Sequence, residues 1–256
     1  MAQKIKVGAV SYLNTKPLIY GFEQGLMNDE VELLIDYPSN IASLLQTNRI
    51  DIGLVPVAII PTLAEHHIIS DYCIGCDGEV ASVCLFSEVP LAEVSTILLD
   101  YQSRTSVALL RILLKEHWRI NPRLQPAEAS YEQGIGGSTA GLVIGDRALV
   151  QRSKSKYIYD LGTAWKEMTG LPFVFAAWVS NKPVSMDFIG LFNNANALGM
   201  AHIDEIIAKY SPQYDDLKQY YTRNIMYKLD ESLRKGLNLP KGARLSIVRA
   251  NDSSAG

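Results

Sequence analysis

The sequence predicts an α/β protein of two lobes. Three observations predict it: strand-like and helix-like segments alternate, no low-complexity linker separates independent domains, and an apolar strand-like run at residues 172–180 leads from the middle of the chain back toward its end. The division expected is a discontinuous lobe I, residues 1–90 and 180–256, and an inserted lobe II, residues 91–179, with chain crossings near Glu88 and Ser180 acting as the hinge. One doubly wound, mostly parallel sheet fits the alternation nearly as well.

The elements follow in order. Residues 5–10 (IKVGAV) read as a first strand, and residues 15–23 as a helix with Pro17 in its first turn, where the missing N–H leaves no bond unmade. Residues 31–37 (VELLIDY) form a second strand stopped by Pro38, and Ser39 caps a short helix through Leu45. Residues 50–55 (IDIGLV) are a third strand ended by Pro56, and residues 80–86 and 96–99 are two more. Residues 103–117 give the clearest helix: Ser103, Thr105 and Ser106 precede an apolar stripe of Val107, Leu110 and Leu114, widened by Leu109 and Leu113. Residues 141–144 are a short buried strand, after which Asp146 opens a brief helix as its N-cap. From Val184 to about Leu237 the pattern is helical, and residues 251–256 read as disordered.

Composition narrows the function. Of 256 residues, 48% are hydrophobic and 20% charged, which suits a protein with a substantial core. The net charge of −3 and the scattered basic residues give no footprint for nucleic acid. The basic cluster at residues 152–156 is interrupted by serines and reads as a solvated turn. No run reaches the ~18 apolar residues of a spanning helix, and the first residues lack the apolar stretch of a secretory signal. A cytoplasmic protein with no membrane partner is expected. Three cysteines make no disulfide framework. Cys73 and Cys76 form a lone C-x-x-C near His66 and His67, but zinc would need two more ligands and a redox pair would open a helix. Small buried side chains near a strand end are the simpler reading, so neither metal nor cofactor is expected.

Ligands of open α/β sheets bind beyond the carboxyl ends of strands, so polar residues there carry the functional argument. Ser11, Tyr12, Asn14 and Thr15 follow the first strand into a helix, where Asn14 and Thr15 suit an anion or an ordinary cap equally well. Ser103, Thr105 and Ser106 open another helix, and one cap does not require three hydroxyls, so a carboxylate site is favoured there. Gly145 and Asp146 follow the strand at 141–144, and Asp146 suits either a cap or a bond between lobes. Pro56 ends the third strand. Ser82, inside the strand at 80–86, would not stand out alone. Nucleotide-loop, G-x-S-x-G and H-E-x-x-H signatures are missing, and His66, His67, His117 and His202 have no metal-like spacing with a carboxylate. These residues alone lead to a two-lobed binder of a small anion.

The blocks SYLNTKPL (11–18), DIGLVPV (51–57), SVCLFS (82–87), SRTSVALLR (103–111), LVIGDRAL (142–149) and TGLPFVFAAW (169–178) together resemble the menaquinone-pathway chorismate dehydratases, known as MqnA. The resemblance implies a type II periplasmic-binding-protein fold with the ligand cleft between lobes. It also implies conversion of chorismate to 3-[(1-carboxyvinyl)oxy]benzoate and water without a cofactor. The family's active-site Asn and Ser fall on Asn14 and Ser82, with Ser87 as the other serine of its block. Ser11, Thr15, Pro56, Ser103, Thr105, Ser106, Gly145 and Asp146 are the expected substrate contacts. The readings set against this one are the sister enzyme making 1,4-dihydroxy-6-naphthoate, a solute-binding receptor, and the effector domain of a transcription regulator.

Overall fold

In the computed structural model, which describes residues 4–214 and 216–237, the chain makes two passes through one sheet with a second sheet between them. The first pass comprises β1 (Ile5–Val10), α1 (Lys16–Glu23), β2 (Val31–Asp36), α2 (Pro38–Gln46), β3 (Ile52–Pro56) and β4 (His67–Cys76). The second sheet follows with β5 (Val83–Ser87), β6 (Thr96–Leu99), α3 (Arg104–Ile112), β7 (Arg123–Pro126), β8 (Thr139–Ile144), α4 (Asp146–Gln151) and β9 (Tyr157–Asp160). The chain then returns through α5 (Leu161–Thr169), β10 (Phe173–Ser180), α6 (Met186–Ala201), α7 (Ile203–Tyr210), α8 (Leu217–Gln219), β11 (Met226–Lys228) and α9 (Glu231–Leu237).

Lobe I holds the strand order β11-β4-β10-β3-β1-β2, and lobe II holds β7-β6-β8-β5-β9. Both sheets are mixed rather than mostly parallel. β1 runs parallel to β2 and β3, whereas β10 lies antiparallel between β3 and β4. In lobe II β6 is parallel to β7 and β8, and β5 is antiparallel to β8 and β9. The reversed strands are β5 and β10, which lie next to the crossings, and the edge strand β11, antiparallel to β4.

Sheet membership moves the lobe boundaries. β5, fully buried, lies between β8 and β9 of lobe II, and β10, buried at all eight positions, between β4 and β3 of lobe I. The crossings therefore lie at 77–82 and 161–172, not near Glu88 and Ser180. Helix α2 begins at Pro38 with Tyr37 before it and no side-chain cap, so Ser39 sits inside its first turn. The helix expected over 103–117 is α-helical to Ile112 and closes in a π-turn, Leu113–His117. Residues 251–256 lie outside the described residues. No helix among those described is long and apolar enough to cross a membrane.

Two glycines seat α1. A Cβ on Gly21 would stand 2.2 Å from the Ala195 carbonyl oxygen, and one on Gly199 would stand 1.7 Å from that of Pro17. The backbones of α1 and α6 thus meet directly, which fixes where α1 begins. The cysteine pair is buried as expected, with Cys73 and Cys76 on opposite faces of β4, packed in different apolar clusters. Burial pushes the Cys73 thiol up to about 12.

Candidate active site

The chain leaves β1 through Ser11 and Tyr12 into a 3-10 turn, Leu13–Thr15, and then α1. A helix start leaves backbone N–H groups without partners, yet no side chain caps either the turn or α1. The Leu13 N–H instead donates to Asp146 Oδ1 at 2.9 Å, across from lobe II. Asn14, next along the turn, makes no cap bond and turns inward, 9% exposed. Thr15 is fully buried and donates weakly to Asn14 Oδ1 at 3.4 Å.

Ser82 is placed by the first crossing. It precedes β5 rather than lying within it, and because β5 is antiparallel to β8, its start lies beside the end of β8 at the cleft. Ala81 holds a left-handed φ of 61°, and Ser82 N–H donates to the Val80 carbonyl at 2.7 Å. Such a backbone costs a non-glycine residue about 1–3 kcal/mol and persists only where its surroundings dictate it. Asp160 supplies those surroundings. Its Oδ1 accepts from the N–H groups of Val80 at 3.1 Å, Gly162 at 2.9 Å and Thr163 at 3.0 Å, and its Oδ2 from Ala81 N–H at 2.8 Å and the Cys84 thiol at 3.4 Å. One carboxylate ties both crossings together. Burial pushes Asp160 upward, and the N–H donors offset part of the shift.

The start of α3 forms the facing wall. Ser103 Oγ accepts from Ser106 N–H at 3.1 Å and lies 2.9 Å from Ser106 Oγ, an ordinary N-cap. Thr105 Oγ1 accepts from Ala58 N–H of lobe I at 3.2 Å, closing one side of the cleft. A second bridge runs from the Tyr12 hydroxyl to Gln102 Oε1, which also accepts from Arg147 Nη2 at 2.9 Å. Arg147 in turn binds buried Asp100 at 2.6 Å and Glu132 at 2.6 Å, between the rings of Tyr101 and Tyr131. Burial raises the Asp100 carboxyl, and Arg147 counteracts it.

Between these walls lies a cavity of about 530 Å³ counting its open mouth. Val10, Pro38, Pro56, Ile74, Val80, Val83, Ile144, Phe175 and Ala176 make it apolar, and Tyr12, Asn14, Ser82, Ser103, Ser106 and Gly145 complete it. None of these lining residues is Asp, Glu, His, Lys or Arg. The cavity can hold an anion through hydroxyls, an amide and helix-start N–H groups, but it offers no carboxylate or imidazole as a base.

Of the residues expected at the site, Asn14, Ser82, Pro56, Ser103, Ser106 and Gly145 line this one cavity. Four do not. Ser11 pairs with the Asp36 carbonyl through its N–H and Thr15 lies beneath Asn14; Thr105 and Asp146 bridge the lobes behind the walls. Asp146 is the first residue of α4, not its cap; Gly145 precedes it at φ 62°. A Cβ there would stand 3.0 Å from the Tyr12 ring, so the glycine answers both a backbone demand and a close approach. Burial pushes the Asp146 carboxyl up, with the Leu13 N–H offsetting it. Ser87 sits at the far end of β5, bonded to Val89, away from the cavity.

One residue at the site carried no sequence signal. Tyr220 is buried and its hydroxyl donates to Ser82 Oγ at 2.9 Å. It lies in a π-turn, Tyr220–Asn224, within a stretch that reads only as helical.

Comparison with known proteins follows this geometry. A family model described as menaquinone biosynthesis matches residues 5–239. A chorismate dehydratase of Thermus thermophilus is 28% identical over 257 residues, covering 90% of this chain and 92% of that protein. Among solved structures, a protein from Archaeoglobus fulgidus superposes with TM-score 0.68 at 16% identity, covering 98% of this chain and 97% of the other. An ABC transporter protein from Parabacteroides distasonis gives 0.65 at 18%, covering 100% and 95%. A Candida albicans gene product with the generic periplasmic binding protein fold gives 0.58 at 13%, covering 98% and 96%. These structural likenesses show the two-lobed fold.

Proposed function

The chain belongs to the menaquinone-biosynthesis family, and from that premise we propose that it is a chorismate dehydratase, a hydro-lyase that needs no cofactor. The observation that carries the reading is the convergence of Asn14, Ser82, Ser103 and Ser106 from both lobes on one cavity with no charged side chain in its lining.

The substrate brings two carboxylates, and the cavity offers them hydroxyls and the N-terminal end of α3, which favours negative oxygens. The ring proton at C3 is vinylogous to the ring carboxylate, so its removal sends charge toward that group. Donors already in place at the α3 start stabilise this charge without having to reorganise. Asn14 and Ser82 face the hydroxyl that leaves C4. With no carboxylate or imidazole on the cavity wall, the substrate's own enolpyruvyl carboxylate takes the proton, held in reach by the closed lobes. Elimination of water makes the ring aromatic and changes no overall oxidation state, so no redox partner is required. The sister reaction would call for a histidine at the ligand, and no histidine lines the cavity.

Incubation of the purified protein with chorismate tests this. An aromatic absorbance accompanied by a product one water lighter is expected, slowed about 10²-fold or more in Ser82→Ala. Chorismate left unchanged by the wild type overturns the reading.

A further inference from the structure

Tyr220 stands behind the cavity rather than in it. It is 3% exposed, and what exposure it has is to an outer recess shared with Glu79 and Arg152. Its hydroxyl nevertheless reaches the centre of the site, donating to Ser82 Oγ at 2.9 Å. Ser82, one of the two residues assigned to the departing hydroxyl, is thus held by a third residue that does not face the substrate.

A serine hydroxyl carries one proton and two lone pairs. When Tyr220 donates to Ser82 Oγ, one lone pair is filled and the serine's own proton is directed away from the phenol. The open side of Ser82 is the cavity that it lines. We infer that Tyr220 is a positioning residue for dehydration: by donating to Ser82 Oγ it aims the Ser82 proton at the oxygen leaving C4. The inference rests on the proposed function for the identity of that oxygen.

The fold supports the assignment independently of this bond. The π-turn that carries Tyr220 also sends the Tyr221 hydroxyl to the Leu13 carbonyl at 3.1 Å and Asn224 Nδ2 to the Glu79 carbonyl at 3.2 Å. One turn therefore grips the exit of β1, where Asn14 sits, and the crossing that leads to Ser82. Single π-turns recur at functional sites, where they aim side chains that a regular helix would not. Burial pushes the Tyr220 phenol well above its ordinary range, so it stays a neutral donor at any working pH.

The step balances without a proton from the protein. The C3–H bond breaks and its proton passes to the enolpyruvyl carboxylate; a ring double bond forms as the C4–O bond breaks, and that proton ends on the departing oxygen as water. Ser82 contributes a hydrogen bond to the oxygen as charge develops on it, so the relay needs no refilling between turnovers.

Tyr220→Phe tests the inference, because it keeps the ring and removes only the hydroxyl. Removing a donor that touches the developing charge costs about 10²–10³ in kcat; Tyr220 acts one bond further away, and a loss of about thirtyfold in kcat with KM changed less than about twofold is expected. In a Ser82→Ala background the same substitution should cost nothing more, since there is no serine proton left to aim. An active wild type with an equally active Tyr220→Phe overturns the relay alone, as do full and independent losses in the double variant. A wild type that leaves chorismate unchanged overturns the proposed function, and the relay with it.

Discussion

Two helices begin at the cleft, one from each lobe, and both look alike in sequence: a strand ends, hydroxyl and amide side chains cluster, and an apolar stripe follows. At the start of α3 the polar side chains are engaged locally, Ser103 with the Ser106 N–H and Thr105 with Ala58. At the start of α1 no side chain caps the helix, because Asp146 accepts the Leu13 N–H from the other lobe. The α3 start thus spends hydroxyls on structure as well as on the cavity, whereas the α1 start leaves Asn14 free for chemistry. Counting polar groups at a helix start does not separate a cap from a site; asking which backbone donors are satisfied, and by what, does.

The comparison makes Asp146 decisive. Asp146→Ala leaves the Leu13 N–H buried without its acceptor, a loss of about 1–3 kcal/mol, and cuts the turn that carries Asn14 from its tie to lobe II. Expressed in the closed, substrate-bound state, that is about a tenfold to hundredfold fall in kcat/KM, measurable by steady-state turnover. An unchanged kcat/KM would mean that Asn14 needs no cap from the other lobe.

Thr105→Val is the smaller counterpart. It preserves shape and removes the acceptor for the Ala58 N–H, so thermal unfolding should show a loss of about 1–2 kcal/mol while kcat stays within about twofold. A large loss of kcat at unchanged stability would return Thr105 to the substrate-contact role that its sequence position suggests.

Much of the architecture was legible because strands buried on both faces read as continuous apolar runs. The segment ending at Ile144 and the last four residues of IKVGAV are of this kind, while TILL alternates half-buried and buried positions yet still reads as apolar. β7, β9 and β11 are edge strands of three or four residues, and β4 breaks its apolar run with Ser70 and Asp71, so none announces itself. The lobe boundary was misplaced for a related reason: nothing in PFVFAAWVS says which sheet it will join. At the site, Asn14 followed from its strand exit, but Ser82 came from the family resemblance alone. Its position depends on a left-handed Ala81 and on Asp160, a partner far along the chain. Tyr220 was hidden by the same long range.

Asn14→Ala puts the difference between the two helix starts to its most direct test, through turnover and thermal unfolding measured on one preparation. A residue freed for chemistry predicts a fall in kcat of about 10²-fold or more with the unfolding temperature within about 1 °C of the wild type. A capping residue would give the reverse: turnover preserved and the midpoint lowered by about 2–4 °C, as loss of a ~1 kcal/mol cap implies for a chain of this length.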